Sequence, residues 1–389
     1  MKKTKVFLML ALTTALVLGG CGQEDSDEVL SPDDIVQSVP TSTEPEETDP
    51  SVDEPDSQVP DEPTVVDGKV RSALTGLWVE EDVASARPIA VMFPTDKGSQ
   101  PQYGIGLAGV LYECMEEGEM SRQMGVIEEW QDLEKIGNIR SGRDYYCYWS
   151  MEWDAFFVHW GGPFYLVDLV SRPEVNNLTA VSVGTSDKSS PATGSSAFWR
   201  SDPKHPTIHN GYTDGPNLTK AIEKQGYESQ HRSQYYTPDH FKFASADSPN
   251  TLESAPGSFT AEKIDLSKIF TTTRSSLEYD AANGVYKKYL YGNEQIDEIT
   301  GEQLTFTNVI VQNTGWEYRP DNKYLLFYVV DDTRDGYYFT NGKGIHITWK
   351  KTSDYAPTKY YDDNGNEIQL NPGKTYIAIA QDGRNVIYQ

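Results

Sequence analysis

Val110-Leu111-Tyr112-Glu113-Cys114-Met115-Glu116-Glu117-Gly118-Glu119-Met120-Ser121-Arg122-Gln123-Met124-Gly125-Val126-Ile127 decides the fold of the chain's first half. Two apolar-rich runs, 110–116 and 122–127, stand either side of Gly118, a pattern that predicts two strands joined at a turn. Working outward, 89–93 is a third buried run, stopped by Pro94. Residues 154–159 form another, ended by Gly161-Gly162-Pro163, and 178–183 a fifth. Between them, 164–172 and 218–225 fit short helices, the second capped by Asn217 or by Gly226 at its far end. Strands alternating with helices predict a mixed α/β layer domain.

The pattern changes after a Ser-, Pro- and Ala-rich stretch at 245–257. From 259 onward short strands follow one another: 277–279, 285–291, 309–312, 323–330, 336–339, 344–350, 359–361, 367–370 and 375–380. Asn283-Gly284 and Asn364-Gly365 are hairpin turns, because both residue types tolerate positive φ. The expected class is α+β, with an N-terminal mixed α/β layer domain (69–250) followed by a β-rich C-terminal domain (251–389).

The 389 residues carry 59 acids against 33 bases, a formal charge of −26. Lys2, Lys3 and Lys5 precede an apolar run from Val6 to Leu18, which is too short to span a bilayer and reads as a secretory signal over 1–20. Leu18-Gly19-Gly20-Cys21 has the small-small-Cys form at which bacterial lipoproteins are cleaved and acylated. Cys21 is thus the expected lipidation site, the membrane the expected partner through its acyl chains, and the outer face of the cytoplasmic membrane the expected location. Residues 22–68 hold sixteen acids, seven prolines and no base, a composition that cannot offset the entropy of ordering and predicts an extended tether over 21–68. The remaining chain carries −13. That balance excludes nucleic acid, whose phosphates need a basic face.

Several motifs lack their context. Gly104-Ile105-Gly106-Leu107-Ala108-Gly109 spells a dinucleotide fingerprint but follows a loop, not a strand, so no cofactor is expected. Asp331-Asp332-Thr333-Arg334-Asp335-Gly336 opens like a calcium loop, yet its twelfth position is Gly342, and it reads as a polar turn between two strands. No metal-ligand spacing occurs. Cys114 and Cys147 either pair with each other or serve as small buried hydrophobes.

Polar residues gather at strand ends and beside glycines in four segments: 112–122, 136–143, 154–162 and 208–210. Arg122, Arg140 and Arg143 offer planar forks to an anion, and His159 and His209 offer acid–base or hydrogen-bonding groups. Glu113, Glu117 and Asn210 complete the set of ligand-binding candidates. The same residues admit a structural reading, in which Arg140 and Arg143 pair with acids such as Glu113 and Glu117 and His159 caps a strand.

At these residues the chain resembles the YerB-like lipoproteins of Gram-positive bacteria. Tyr112-Glu113, Glu117-Gly118 and Ser121-Arg122 are similar to that family's Tyr-Glu…Glu-Gly…Thr-Arg stretch, and Ile136-Gly137-Asn138-Ile139-Arg140-Ser141-Gly142-Arg143 to its Ile-Gly-Pro-Val-Arg-Ser-Ala-Arg. Asp154-Ala155, His159, Gly161-Gly162 and His209-Asn210 continue the likeness. In the second half, Gly336-Tyr337-Tyr338-Phe339, Trp349-Lys350-Lys351 and Asn364-Gly365-Asn366-Glu367-Ile368-Gln369-Leu370-Asn371-Pro372-Gly373-Lys374-Thr375-Tyr376 do the same. The resemblance implies an exported two-domain lipoprotein and supplies no reaction. Asn138 stands where the family has proline, which implies a looser loop around Arg140; Gly142, Trp160 and Pro163 also depart from its pattern.

The expected function is a membrane-anchored binding or scaffolding module of the cell envelope, its partner a cell-wall polymer or an envelope protein. Aromatics such as Trp316, Tyr318, Tyr337 and Tyr338 are further candidates for contact, with a place in the core as the alternative for most of them. The alternative is an envelope enzyme acting on a phosphate- or glycan-bearing substrate through the Arg/His cluster, which requires Arg140, His159 and His209 to line one pocket.

Overall fold

Ile89–Pro94 (β1) is buried at every residue, as an apolar run must be when both faces of its sheet are covered. β2 (Val110–Met115) and β3 (Ser121–Ile127) form the expected antiparallel pair, with Glu113 opposite Gln123 and Cys114 opposite Arg122. Gly118 makes the turn between them at φ +74°. β1 lies antiparallel to β3 and parallel to β4 (Phe156–His159), which is followed by β5 (Asn177–Thr179). The computed structural model describes residues 65–200, 204–321 and 323–389. The expected signal, Cys21 and all but the last residues of the expected tether lie outside them.

Six further strands come from the second half: β6 (Phe259–Thr260), β7 (Asn308–Thr314), β8 (Asp331–Thr340), β9 (Lys343–Lys351), β10 (Lys359–Tyr361) and β11 (Thr375–Gln381). They join the first five in one eleven-stranded sheet of order β6-β9-β8-β7-β11-β2-β3-β1-β4-β5, with β10 beside β9. The seam is the parallel pair β11–β2, running from Thr375 opposite Val110 to Ile379 opposite Cys114. The described residues from 65 to 389 fall in one compact unit, and the large sheet draws strands from both sides of the composition shift at 245–257.

Two layers cover the centre of this sheet. On one face lies α1 (Asp144–Met151), whose Trp149 stacks on Tyr112 of β2. On the other lies a second, six-stranded sheet built on Ser276–Asp280 and Val285–Leu290, which are joined at Asn283-Gly284 with Gly284 at φ +68°. α1 is absent from the sequence reading because six of its eight residues are buried, so no polar stripe marks its period.

Other elements differ in detail. The 164–172 segment splits into a 3-10 turn, Phe164–Leu166, and a single helical turn, Val167–Val170. The last helix, α2 (Gly215–Gln225), starts earlier than expected, because its cap is Asp214, whose carboxylate accepts from the amide of Asn217 at 2.6 Å. Gly226 ends it at φ +68°. Asp331–Gly336 is not a turn between strands but the start of β8, with a register shift between Asp331 and Arg334. The glycine-rich 104–109 loop packs on the second half: the amide of Gly106 donates to Asp297 at 2.9 Å, and a Cβ there would meet the Asp297 Cβ at 2.8 Å. Cys114 and Cys147 are both free and buried, the small-hydrophobe alternative of the two. Among the described residues no helix is long and apolar enough to cross a membrane.

Candidate functional site

Strand alternation sorts the acids around the Gly118 turn. Side chains two apart share a face, so Tyr112, Cys114 and Glu116 point toward α1, together with Arg122, which stands opposite Cys114. Glu113 and its neighbour across the ladder, Gln123, point the other way, toward the second sheet. Glu113 therefore lies apart from the arginines. It is fully buried, with Lys288 at 3.3 Å and hydrogen bonds from Ser121, Ser275 and Tyr376 at 2.7 Å and from Gln123 at 3.0 Å. Burial alone would raise its carboxyl, but the Lys288 ammonium and these donors outweigh it and hold the group below the ordinary carboxylate range.

The partner that the arginines use is Glu116. Its two oxygens bridge Arg122 at 2.6 Å and Arg143 at 3.2 Å. Arg143 also meets Glu117 through both Nε (3.1 Å) and Nη2 (2.5 Å). Arg122 Nη1 donates to the carbonyl (2.6 Å) and hydroxyl (3.1 Å) of Ser141, while its Nε is buried without a hydrogen-bond partner among the described residues. Two carboxylates thus neutralise the two guanidinium charges. Glu116 sits beside Glu117 in the sequence; only the strand register distinguishes it from Glu113.

Arg140 is different. It has no ion pair among the described residues; Nη1 donates to the carbonyl of Ile208 at 3.1 Å, and Nε is buried without a hydrogen-bond partner. Its loop is not loosened by Asn138. The Arg140 amide donates to Met92 at 2.9 Å, the Ile139 amide to Gly211 at 2.8 Å, and the buried Asn138 side chain donates to the carbonyl of His209 and to the Tyr212 hydroxyl. An amide does here what proline cannot, because it ties the 136–143 loop to the 208–212 segment across the fold.

His209 follows in that segment. Its ring lies at 3.9 Å from Asp96, and Nδ1 is buried without a partner among the described residues. Burial pulls its pKa down, Asp96 opposes this, and the positive Arg140 lowers it further. The ring lines a cavity of about 740 Å3 between Asp96-Lys97-Gly98, Pro206, Ile208 and, from the second half, Thr271, Thr272, Arg274 and Tyr291. Asn210 accepts from Arg200 at 3.2 Å and contributes no wall to the cavity.

His159 does not line that opening. It is fully buried against Phe157, with Nδ1 at 2.8 Å from the carbonyl of Gly161, and burial lowers its pKa to about 4. It is a neutral core residue at the end of β4. The structure thus brings Glu117, Arg122, Arg140, Arg143 and His209 into one neighbourhood, and places Glu113, His159 and Asn210 outside it. Sequence reasoning missed Glu116, Lys97, Arg274 and Tyr291. The last two belong to the second half and carry no local signal; only the tertiary fold sets them against the first.

Comparison with known proteins agrees with the seam. Residues 74–228 match the N-terminal domain, and residues 265–377 the C-terminal domain, of a family described as protein of unknown function DUF3048. The chain is 26% identical over 318 residues, 81% of its length and 87% of the relative's, to the Bacillus subtilis (strain 168) protein named "Putative lipoprotein YerB". The crystal structure of YerB from Bacillus subtilis superposes with a TM-score of 0.64 at 23% identity, covering 82% of this chain and 100% of that one, and so shares the fold. With both domains present in order and joined through one sheet, the chain belongs to the YerB-like, DUF3048 family.

Proposed function

We propose that the chain is a lipid-anchored binding module of the cell envelope, held by an acylated Cys21, with residues 22–68 as a spacer and the cavity beside His209 as its ligand site. The observation that carries the reading is the combination of an open cavity, lined by polar and apolar groups alike, with cationic groups on and beside its wall: Lys97, Arg274 and Arg140 have no ion pair among the described residues, although Asp96 shares that wall. The relative's name, which calls it a lipoprotein, supports the anchor. The enzyme alternative loses its support, since His159 is sealed in the core and His209, at 3.9 Å from Asp96, has no nucleophile hydrogen-bonded to it among the described residues.

Washed cell envelopes mixed with the purified full chain test the reading. Retention is expected, weakened by Arg140→Ala or His209→Ala without an equal fall in melting temperature. Cys21→Ser is expected to release the chain from membranes. Equal retention of the wild type and both cavity variants would sink the assignment of the site.

A further inference from the structure

The cavity beside His209 does not end at Tyr291. A second cavity, about 500 Å3, shares Thr271, Arg274 and Tyr291 with the first and continues past Ser267 and Lys268 to Lys263. The two make one groove that starts between the first and second halves and runs on over the second half alone. Its walls carry Lys97, Arg274, Lys268 and Lys263 against only Asp96 and Asp265. Lys263 is taken up by Glu278 at 2.8 Å, whereas Lys97, Lys268 and Arg274 meet no acid among the described residues. In a chain of net charge −26, this local excess runs against the field of the whole.

The groove is also built rather than incidental. Arg274 sits at φ +47°, a left-handed backbone that side chains other than glycine seldom adopt, and its amide is held by the carbonyl of Phe270 at 2.8 Å. The loop before it is pinned to the Gly118 turn: Thr271 donates to Glu119 at 2.9 Å, and Arg384 clamps the same carboxylate at 2.9 and 3.0 Å. The ammonium of Lys97 lies 4.9 Å from the centroid of the Tyr291 ring, which fixes a second cation opposite the first. His209 Nδ1 and Arg140 Nε, buried and unpartnered, stand at the near end.

We propose that this groove binds an extended phosphodiester-linked polyol chain. The assignment rests on the binding-module reading and names its ligand. Successive cations along a groove longer than one anion fit a repeating charge, and the planar fork of Arg274 suits a phosphate bidentately. The hydroxyls of Thr271, Thr272, Ser267 and Ser276 suit the polyol between charges. Met120, Pro206 and Ile208 are too few to bed acyl chains, which argues against a lipid headgroup as the source of the phosphate.

The test titrates the full chain, purified from membranes in mild detergent, with a poly(glycerol phosphate) oligomer, with orthophosphate and with phosphatidylglycerol vesicles. The oligomer is expected to bind in a salt-sensitive manner, and Arg274→Ala and Lys97→Ala to weaken it about tenfold each, as befits one charge-assisted contact. Both side chains are at the groove surface, and unchanged circular dichroism separates lost binding from lost fold. Orthophosphate binding as tightly as the oligomer, a preference for vesicles, or no binding to any of the three would overturn the proposal. Envelope retention distinguishes the two levels: if retention stays sensitive to Arg140→Ala while the oligomer fails, only the ligand class falls, and if retention also fails, the binding-module reading falls with it.

Discussion

Lys288 and Glu113 meet at 3.3 Å in the interior, both wholly buried, one from the second sheet and the other from β2 of the large sheet. A second pair repeats the arrangement: Lys351 of β9 lies 3.2 Å from Glu152, which also accepts from Tyr112 at 2.5 Å and from Thr358 at 2.7 Å. In both, the carboxylate comes from the N-terminal family segment and the ammonium from the C-terminal one. Removing one partner strands the other charge in a low-dielectric interior. Glu113→Gln is therefore expected to cost on the order of 3–5 kcal/mol in chemical denaturation. Glu113→Gln with Lys288→Met should recover most of that loss, because no charge is then left unpaired. Additive losses in the double variant would show that the pair itself is not the cause.

The same seam predicts the fate of the halves. Residues 69–250 alone would expose the β2 edge that β11 covers and the face of β2 that the second sheet covers, and would leave Glu113 and Glu152 without their lysines. Expressed by itself, that fragment is expected to lack the near-ultraviolet circular dichroism of packed aromatics and to be cut quickly by protease, and mixing with residues 251–389 should restore both properties. A fragment that melts cooperatively alone would contradict this.

Much of this was legible in the sequence and some was not, for identifiable reasons. The β2–β3 pair, β1, β4, the Asn283-Gly284 hairpin and the β-rich second half follow from apolar runs and turn chemistry, which are local. The β11–β2 seam is a parallel pairing between residues more than 260 positions apart, and nothing local encodes it. The site divides in the same way. Arg122, Arg140 and Arg143 were readable as a group, but Glu113 and Glu116 differ only in which face of one strand they occupy. His159 reads as an acid–base or hydrogen-bonding candidate at a strand end, yet β5 and the surrounding core cover it.

Arg140 and His159 should consequently respond in opposite ways. His159→Ala removes a buried ring stacked on Phe157 and leaves a cavity, so a loss of about 2–4 kcal/mol is expected. Arg140→Ala removes a half-exposed side chain with one long hydrogen bond, and about 1 kcal/mol or less is expected. Thermal melts of the two variants decide it; a larger loss for Arg140→Ala would make Arg140 a structural residue and remove it from the ligand site.

Stability near neutral pH should reflect two opposed titrations. His159, lowered by burial to about 4, and His240, lowered by burial to about 3, stay neutral in the fold while the unfolded chain takes up protons below about pH 6.5. Their contribution is present above pH 6.5 and drains away as pH falls toward 4. Glu128 runs the other way. Burial raises its carboxyl to about 7, against hydrogen bonds from Ser72 to both oxygens at 2.8 and 2.7 Å. The folded state therefore favours its protonated form, so stability present below about pH 4.5 is lost as pH rises through 7. Glu128→Gln keeps an acceptor for Ser72 and cannot ionise. It is expected to stabilise the chain by about 1–2 kcal/mol at pH 8, a figure already reduced for the partial exposure of this site, and to change little at pH 4.5. Urea denaturation at the two pH values checks the sign. An equal gain at both would mean that packing, not the buried carboxylate, is what the substitution alters.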